Sequence, residues 1–435
     1  MRNLWQEPGR ALRGRAVFGI LQFKMRRAAN GRGANGDRKM KHLKIAIAAL
    51  CAVCPSTAAL CAGQTGGLPE KPVRIGVYVD KGARNIGAYR WIEIAQRTKN
   101  AVATCVDGKA VRDGALDSLD LLVMPGGKAS LEAASLGGEG RRKLKAFIEN
   151  GGGYVGTCAG CFLLMQPGAG VRKNYLGLIP YKCAPSGGHA DIEIRFNGNA
   201  ERLAGLADGT VQRVRYAGGP VLVRDPSAGD SKIETVATYH SELDESNPSP
   251  RKPFRGKGAA AAGDCGKGRI FVFAVHPESD RDDHFLLRKA FEYVLRRKVE
   301  WDYPVRREGA LSAGFVCDDS FGAETGRLVQ KLVSQDEFNI VPVNKKEAGK
   351  GALERIDALL VPDCAGSDGS DMCLGKENAK AVRRFAKRGG LIVAWGAGAA
   401  KTRACGVKFE EAADGADALA RLRRFAAERP SRKAE

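Results

Sequence analysis

Apolar runs and amphipathic stretches alternate along the first half of the chain. VRIGVYVD (73–80) is an unbroken apolar run closed by Asp80, the pattern of a strand buried on both faces. Helical spacing follows over about 87–98. VATCVD (102–107) then predicts a second strand, and LDLLVMPGG (119–127) a third that runs into a glycine pair. RRKLKAFIEN (141–150) brings Leu144, Phe147 and Ile148 to one helical face. GYVGTCAG (153–160) reads as a strand and the turn that leaves it. Strands alternating with helices predict an α/β fold, a flavodoxin-like parallel sheet with helices on both faces. Short β-rich segments at 191–196, 211–216, 220–224 and 233–239 predict a mostly antiparallel extension. Residues 244–267, which include NPSPRKP, read as a surface loop. GRIFVFAVHPE (268–278) returns to a buried strand, and HFLLRKAFEYVLRR (284–297) to a closing helix.

After Trp301 the pattern restarts. SAGFVCDD (312–319) parallels RIGVYVD, GALERIDALLVP (351–362) parallels GALDSLDLLVMP (114–125), and AVRRFAKRGG (381–390) parallels KLKAFIENGG (143–152). GGLIVAWGAG (389–398) repeats the spacing of GGGYVGTCAG (151–160), with Gly396 where the first has Cys158. Matches in order at an offset of 237 or 238 predict two copies of one unit, over about 70–300 and 305–428. The second copy is expected to be degenerate. Its turn offers no nucleophile, and Pro362-Asp363-Cys364 stands where the first has Pro125-Gly126-Gly127.

The formal charge of +21 first suggests a polyanionic partner. It is unevenly spread: residues 1–39 hold ten Lys/Arg against two Asp/Glu. No basic helix with interleaved aromatics occurs, so no nucleic-acid partner is expected. Residues 40–62, MKHLKIAIAALCAVCPSTAALCA, read as a signal peptide: a short basic start, an apolar run from Ile45 to Val53, and small residues near Ala62. A core helix or strand is the competing reading. The run is too short to span a bilayer as a helix, so no membrane span is expected once it is cleaved. A periplasmic or extracellular location follows, and residues 1–39 then read as a disordered extension or an over-long start. Cys61 lacks a good lipobox, so lipid anchoring is not favoured. Of 12 cysteines, cleavage would remove Cys51, Cys54 and Cys61 and leave an odd number, hence one free or reactive thiol.

The chemistry concentrates at GTCAG (156–160). A nucleophile elbow needs small residues two positions either side of the nucleophile, and Gly156 and Gly160 supply them. The thiol of Cys158 then sits at a helix N-terminus, which favours thiolate. The N–H of Ala159 points where an oxyanion would form, and Gly126 or Gly127 is the candidate second donor. A cysteine nucleophile needs a base and the base an orienting group. His276 closes an apolar strand, and Glu278, two residues on, falls on the same side of an extended chain. Lys128 and Ser130, beside the glycine pair, are placed to line the cleft. Cys158 and Cys161 also spell C-x-x-C at a helix start, which makes Cys161 a candidate redox partner. His189, His240 and His284 lack ligand spacing, and no metal or cofactor is expected.

PGG (125–127), GTCAG and HPE (276–278) together resemble the class I glutamine amidotransferase superfamily with its Cys-His-Glu triad. Tyr216-Ala217-Gly218-Gly219-Pro220 is similar to the Tyr-x-Gly-Gly-Pro segment of the biotin-protein ligase N-terminal domain family. The resemblance covers about 70–300. It implies a class I amidotransferase-like fold, Cys158 as nucleophile, His276 as base, Glu278 as orienter, an oxyanion donor at Gly126 or Gly127, and Tyr216 and Gly218 near the substrate. The glutaminases carry a Leu-Gly-His-Gln-like run after the cysteine; this chain has Ala159-Gly160-Cys161-Phe162. GKGAAAAG (256–263) lacks the Lys-Ser/Thr of a phosphate loop. The expected function is an exported cysteine hydrolase or amidase that acts on a small-molecule or peptide amide through a thioester. A non-catalytic ligand-binding protein on the same fold and a CxxC thiol-redox protein remain as alternatives, and the oligomeric state is open.

Overall fold

The computed structural model describes residues 71–247, 249, 251–279, 284–302, 307–317, 322–335, 337–363 and 375–428. The expected basic extension, the signal segment with Cys61, and Cys364 lie outside the described residues.

The first lobe begins with β1 (Val73–Tyr78), α1 (Asn85–Gln96), β2 (Ala101–Val106), α2 (Gly108–Arg112), β3 (Leu121–Met124), α3 (Ala129–Glu149), β4 (Gly153–Thr157) and α4 (Ala159–Leu164). It continues with β5 (Tyr181–Ala184), β6 (His189–Phe196), α5 (Gly198–Ala204), β7 (Val211–Ala217), β8 (Val221–Arg224), β9 (Ile233–Tyr239), β10 (Gly258–Cys265), β11 (Gly268–Phe273) and α6 (Phe285–Leu295). The strands form one sheet in the order β2-β1-β3-β4-β11-β10-β9-β6-β7, with β5 and β8 joined beside β10. Pairs from β2 to β11 are parallel, because helices cross between them. Beyond β11 every pair is antiparallel, as the short β-rich segments predict.

β1, β3 and β4 are buried along almost their whole length, which is why they read as continuous apolar runs. One apolar layer, with Val77, Trp91, Val155 and Phe291, covers one face; another, with Tyr78, Leu122, Leu144 and Tyr154, covers the other. Helix α3 starts earlier than its apolar spacing predicts and is interrupted at Gly137 (φ 65°, ψ 179°).

One expectation fails outright. Residues 244–267 are not a continuous loop, because 258–265 form β10, buried between β9 and β11. GAAAAGDC has almost no β propensity of its own. Its small side chains fit a strand crowded on both sides: a Cβ on Gly263 would lie 2.0 Å from the Lys232 carbonyl oxygen.

The second lobe comprises β12 (Ser312–Val316), α7 (Ala323–Gln335), β13 (Asn339–Val343), α8 (Lys345–Gly349), β14 (Ala358–Val361), α9 (Gly375–Lys387), β15 (Leu391–Ala394), α10 (Ala397–Ala404), β16 (Glu410–Glu411) and α11 (Gly415–Glu428). Its parallel sheet runs β13-β12-β14-β15-β16, the order of β2-β1-β3-β4-β11. Local contacts correspond as well. The Asp120 carboxylate accepts from the Arg74 N–H at 2.8 Å, and the Asp357 carboxylate from the Ser312 N–H at 3.0 Å.

Helix α7 joins the lobes. It lies against α1 and covers β2, the outer strand of the first sheet, which would otherwise present an open edge. Gln330 donates to the Ala103 carbonyl at 2.8 Å, and Arg97 donates to the Val333 carbonyl at 3.2 Å. A Cβ on Gly326 would stand 3.0 Å from Cys105 Sγ and 3.1 Å from Val79 Cγ2. Gly326→Leu should therefore overpack this seam and cost about 1–3 kcal/mol. Urea unfolding should show a lower midpoint; an unchanged midpoint would mean that the seam does not close in this way.

Candidate functional site

The site is built where β4 and β11, adjacent and parallel, reach their C-terminal ends. Open α/β sheets place ligands at this edge. Cys158 follows β4 directly and precedes α4 with φ 48° and ψ −98°. A non-glycine residue in such a conformation costs about 1–3 kcal/mol. The surroundings hold it there. Its N–H donates to the Phe273 carbonyl at 2.8 Å, and its carbonyl accepts from the N–H groups of Cys161 and Phe162 at 3.1 and 3.0 Å. Tyr154 donates its hydroxyl to the Gly160 carbonyl at 2.8 Å. A Cβ on Gly160 would fall 2.4 Å from the Met124 carbonyl oxygen, so the turn tolerates no side chain there.

His276 arrives by a different route from the one its sequence suggests. Strand β11 stops at Phe273, and Pro277–Ser279 form a 3-10 turn rather than an extended segment. The His276 N–H donates to the Arg215 carbonyl of β7 at 2.8 Å. The turn brings Nδ1 to 2.8 Å from Glu278 Oε1. Glu278 is fully buried, and the same oxygen accepts from the Thr157 hydroxyl at 3.2 Å. Thr157 in turn accepts from the Trp91 indole N–H at 3.4 Å. One hydrogen-bonded path thus runs from α1 through the end of β4 to the imidazole.

Cys158 and His276 meet over Gly126. A Cβ added there would lie 2.5 Å from His276 Cε1 and 3.2 Å from Cys158 Cβ. The imidazole Nε2 is buried and has no hydrogen-bond partner among the described residues. The Cys158 thiol is directed at the Ala217 carbonyl across 3.8 Å. Burial pulls the His276 pKa down, but the Glu278 carboxylate and the neighbouring Cys158 sulfur outweigh it, and the imidazole is held well above its ordinary value.

The other predicted residues separate into those at the sulfur and those elsewhere. Ala159 is the first residue of α4, where a helical N–H has no earlier turn to pair with. Of the glycine pair, Gly126 lies at Cys158. Gly127 (φ 154°) is packed on the Gly82 loop, where a Cβ would reach 1.8 Å from the Gly82 carbonyl oxygen. Lys128 immediately precedes α3, makes no side-chain cap there, and is exposed. Gly218 (φ 71°) adjoins the carbonyl that faces the sulfur. Tyr216, expected near the substrate, is instead a core residue. Its ring is buried edge-on against Tyr239 and Phe254, and its hydroxyl donates to Gly219 and accepts from the Gly187 N–H. Cys161 packs in the apolar layer under α4, and burial pushes its thiol well up; both Cys158 and Cys161 are free thiols here.

Thr157, Trp91 and Glu132 were not singled out from sequence. Glu132 had a signal: it falls on the helical face of Ala129, Ala133 and Leu136, where an acid is out of place. In the second lobe, Gly396 (φ 55°, ψ −133°) precedes α10, and the Ala397 N–H donates to the Asp363 carboxylate at 2.9 Å. A carboxylate oxygen thus occupies the place of an anion at the start of α10. Among the described residues no group of His, Cys, Asp and Glu is arranged to hold a metal, and no helix is long and apolar enough to cross a membrane.

Residues 89–166 match the family model described as biotin-protein ligase, N terminal. The pyridoxal 5'-phosphate synthase subunit PdxT of Koribacter versatilis is 31% identical over 147 residues, which is 29% of this chain and 71% of that protein. The same subunit from Geobacillus thermodenitrificans is 28% identical over 189 residues, 42% of this chain and 80% of its own length. A solved ThuA-like protein from Bacteroides uniformis aligns with a TM-score of 0.37 at 12% identity, covering 53% of this chain and 95% of its own. The chain belongs to the class I glutamine amidotransferase-like family, with a relationship inside it to the N-terminal region of biotin-protein ligases.

Proposed function

We propose that the chain is a cysteine hydrolase that cleaves an amide C–N bond through a Cys158–His276–Glu278 triad. The observation that carries the reading is the convergence of Cys158 and His276 on Gly126, with Glu278 bonded to the far imidazole nitrogen. The sulfur attacks the carbonyl carbon, and a C–S bond forms as the carbonyl π pair moves to oxygen. The N–H of Ala159, with that of Gly126, receives the oxyanion. The Asp363 carboxylate on the Ala397 N–H supports this role for Ala159, since it is the same contact made by a resident anion. His276 then protonates the leaving amine from Nε2 and the C–N bond breaks. Water, deprotonated by the same nitrogen, attacks the thioester; the acid leaves and the thiol is restored.

The substrate class is a small-molecule or peptide amide. The residues after the nucleophile differ from the glutaminase run, so glutamine is not the favoured substrate. Export rests on residues 40–62 alone. We read 305–428 as a degenerate copy of the first unit, on the shared strand order and the corresponding Asp120 and Asp357 contacts. A second reading, a binding protein that has lost turnover, is favoured by the small opening at the sulfur: Cys158 is only 4% exposed.

Alkylation of Cys158 by iodoacetamide, followed by peptide mass spectrometry from pH 5 to 9, separates the two. The Glu278 carboxylate holds the His276 pKa above its ordinary value, the direction that favours a cation beside the sulfur. His276→Ala should lower the rate at pH 6 about tenfold, the equivalent of one pKa unit. Equal profiles in wild type and variant would leave only the binding protein. A screen of amides with detection of released amine or ammonia should then find a substrate that Cys158→Ala does not turn over.

Gly126→Ala makes a sharper geometric test. Its methyl would collide with the His276 ring, so alkylation at pH 6 should fall towards the His276→Ala level while the fold survives. An unaffected rate would mean that the imidazole does not rest on Gly126.

A further inference from the structure

A cavity of about 520 Å³ lies on the seam between the lobes, and none of Cys158, His276 and Glu278 lines it. Its first-lobe wall is α1, with Tyr89 and Glu93, and the segment at Trp301. Its second-lobe wall is α7, β13 and the turn that ends in Arg355. Small-molecule sites fall in the range of about 300–1,000 Å³ and favour such junctions.

Bonds from both lobes frame the space. Arg97 of α1 donates to the Val333 carbonyl of α7 at 3.2 Å. The Trp301 indole N–H donates to the Thr98 hydroxyl at 2.7 Å. The Asn339 side chain, at the start of β13, accepts from the Arg307 N–H at 2.9 Å and donates to the Arg307 and Ala310 carbonyls at 2.9 and 3.2 Å.

The lining is mixed. Ile94, Leu332 and Val333 are buried and apolar, and Trp301 and Phe338 add half-buried rings. Polar groups stand among them. Tyr89 is fully buried, and its hydroxyl has no hydrogen-bond partner among the described residues. β13 is the outer strand of the second sheet and pairs with β12 alone. The Asn339 N–H and the Val343 carbonyl bond towards β12. Strand alternation therefore turns the Ile340 N–H, which lies between them, to the open side. Both groups are donors, and a donor out of water without an acceptor is costly.

Four arginines line the cavity against three acids. Arg90 is paired with Glu93 at 2.8 Å, and Asp302 is paired at 3.3 Å with Lys99, which is not part of the wall. Arg355 is exposed at the rim and makes no hydrogen bond or ion pair among the described residues. Glu347 is the remaining acid. A guanidinium takes a carboxylate in fork geometry, and the rings and aliphatic side chains suit an apolar body.

We propose that this cavity is a binding site for a small aromatic carboxylic acid that carries a second hydrogen-bond acceptor. The carboxylate goes to the Arg355 guanidinium at the rim. The apolar body lies between α1 and α7, and the Tyr89 hydroxyl donates to the second acceptor at the buried end. The site is separate from the triad and does not rest on the hydrolase reading.

Isothermal titration calorimetry of the full chain tests this with two probes, 4-acetylbenzoate and 4-oxo-4-phenylbutanoate, and with the amide of each. The amides are titrated into Cys158→Ala, which lacks the sulfur that would attack them. At least one acid should bind saturably, equally well to wild type and to Cys158→Ala, and roughly tenfold or more tightly than its amide. Arg355→Gln should weaken the acid about five- to tenfold and leave the amide unchanged. Tyr89→Phe should weaken both by about three- to tenfold. It should also leave the free chain at least as stable in urea, because it removes a buried hydroxyl that has no partner. No saturable binding of either acid overturns the proposal, and so does equal affinity for acid and amide. Loss of binding in Cys158→Ala would put the probe at the sulfur and overturn it too. A silent Arg355→Gln or a silent Tyr89→Phe has the same force. The readout is binding rather than turnover, so the triad and this site fail separately.

Discussion

The site depends on a missing side chain. Gly126 lets the backbone at the end of β3 come so close that Cys158 and His276 rest on the same α-carbon. Any Cβ there would strike the imidazole. The sheet order makes the meeting possible, because β11 returns beside β4 and in parallel, so both strands deliver their chemistry at one edge. Thr157 and Glu278 then fix the imidazole from the side away from the sulfur. A buried carboxylate that a strand-end threonine holds in place thus orients His276 and, together with the neighbouring sulfur, raises its pKa.

Such a site costs stability. Cys158 takes a strained backbone conformation, Glu278 is buried with one oxygen unpartnered among the described residues, and Glu132 is buried without a partner. Each is a local violation that the scaffold must offset. Two apolar layers, one on each face of the first sheet, do this, and α7 of the second lobe closes the outer edge at β2. The second lobe makes the opposite choice at its own elbow. There the Asp363 carboxylate takes the helix N–H itself, and Gly396, before α10, brings no thiol.

Most of the parallel sheet was legible because double-sided burial writes unbroken apolar runs. β1, β3 and β4 lie within the segments read from VRIGVYVD, LDLLVMPGG and GYVGTCAG. β10 was not legible, since alanine and glycine report crowding rather than strand preference. The order of β10 and β9 beside β11 depends on long-range pairing that no local pattern records. At the site, the residue types of Cys158, His276 and Glu278 were readable from spacing, but the geometry was not: the imidazole and carboxylate meet through a 3-10 turn, not along a strand. Tyr216 was placed by its motif near a substrate, whereas its ring serves the core with Tyr239 and Phe254. Thr157 and Trp91 escaped notice because their role exists only once β4, α1 and the turn at Glu278 are assembled.

The central claim is that His276 is held charged between a buried carboxylate and a sulfur. A nitrogen-15 NMR titration of the His276 ring in the intact chain measures this most directly. The account predicts an imidazolium that persists well above the ordinary histidine range, with its Nδ1 proton protected, and a return towards that range in Glu278→Gln. A His276 that titrates like a solvated histidine, and does not respond to Glu278→Gln, would contradict it.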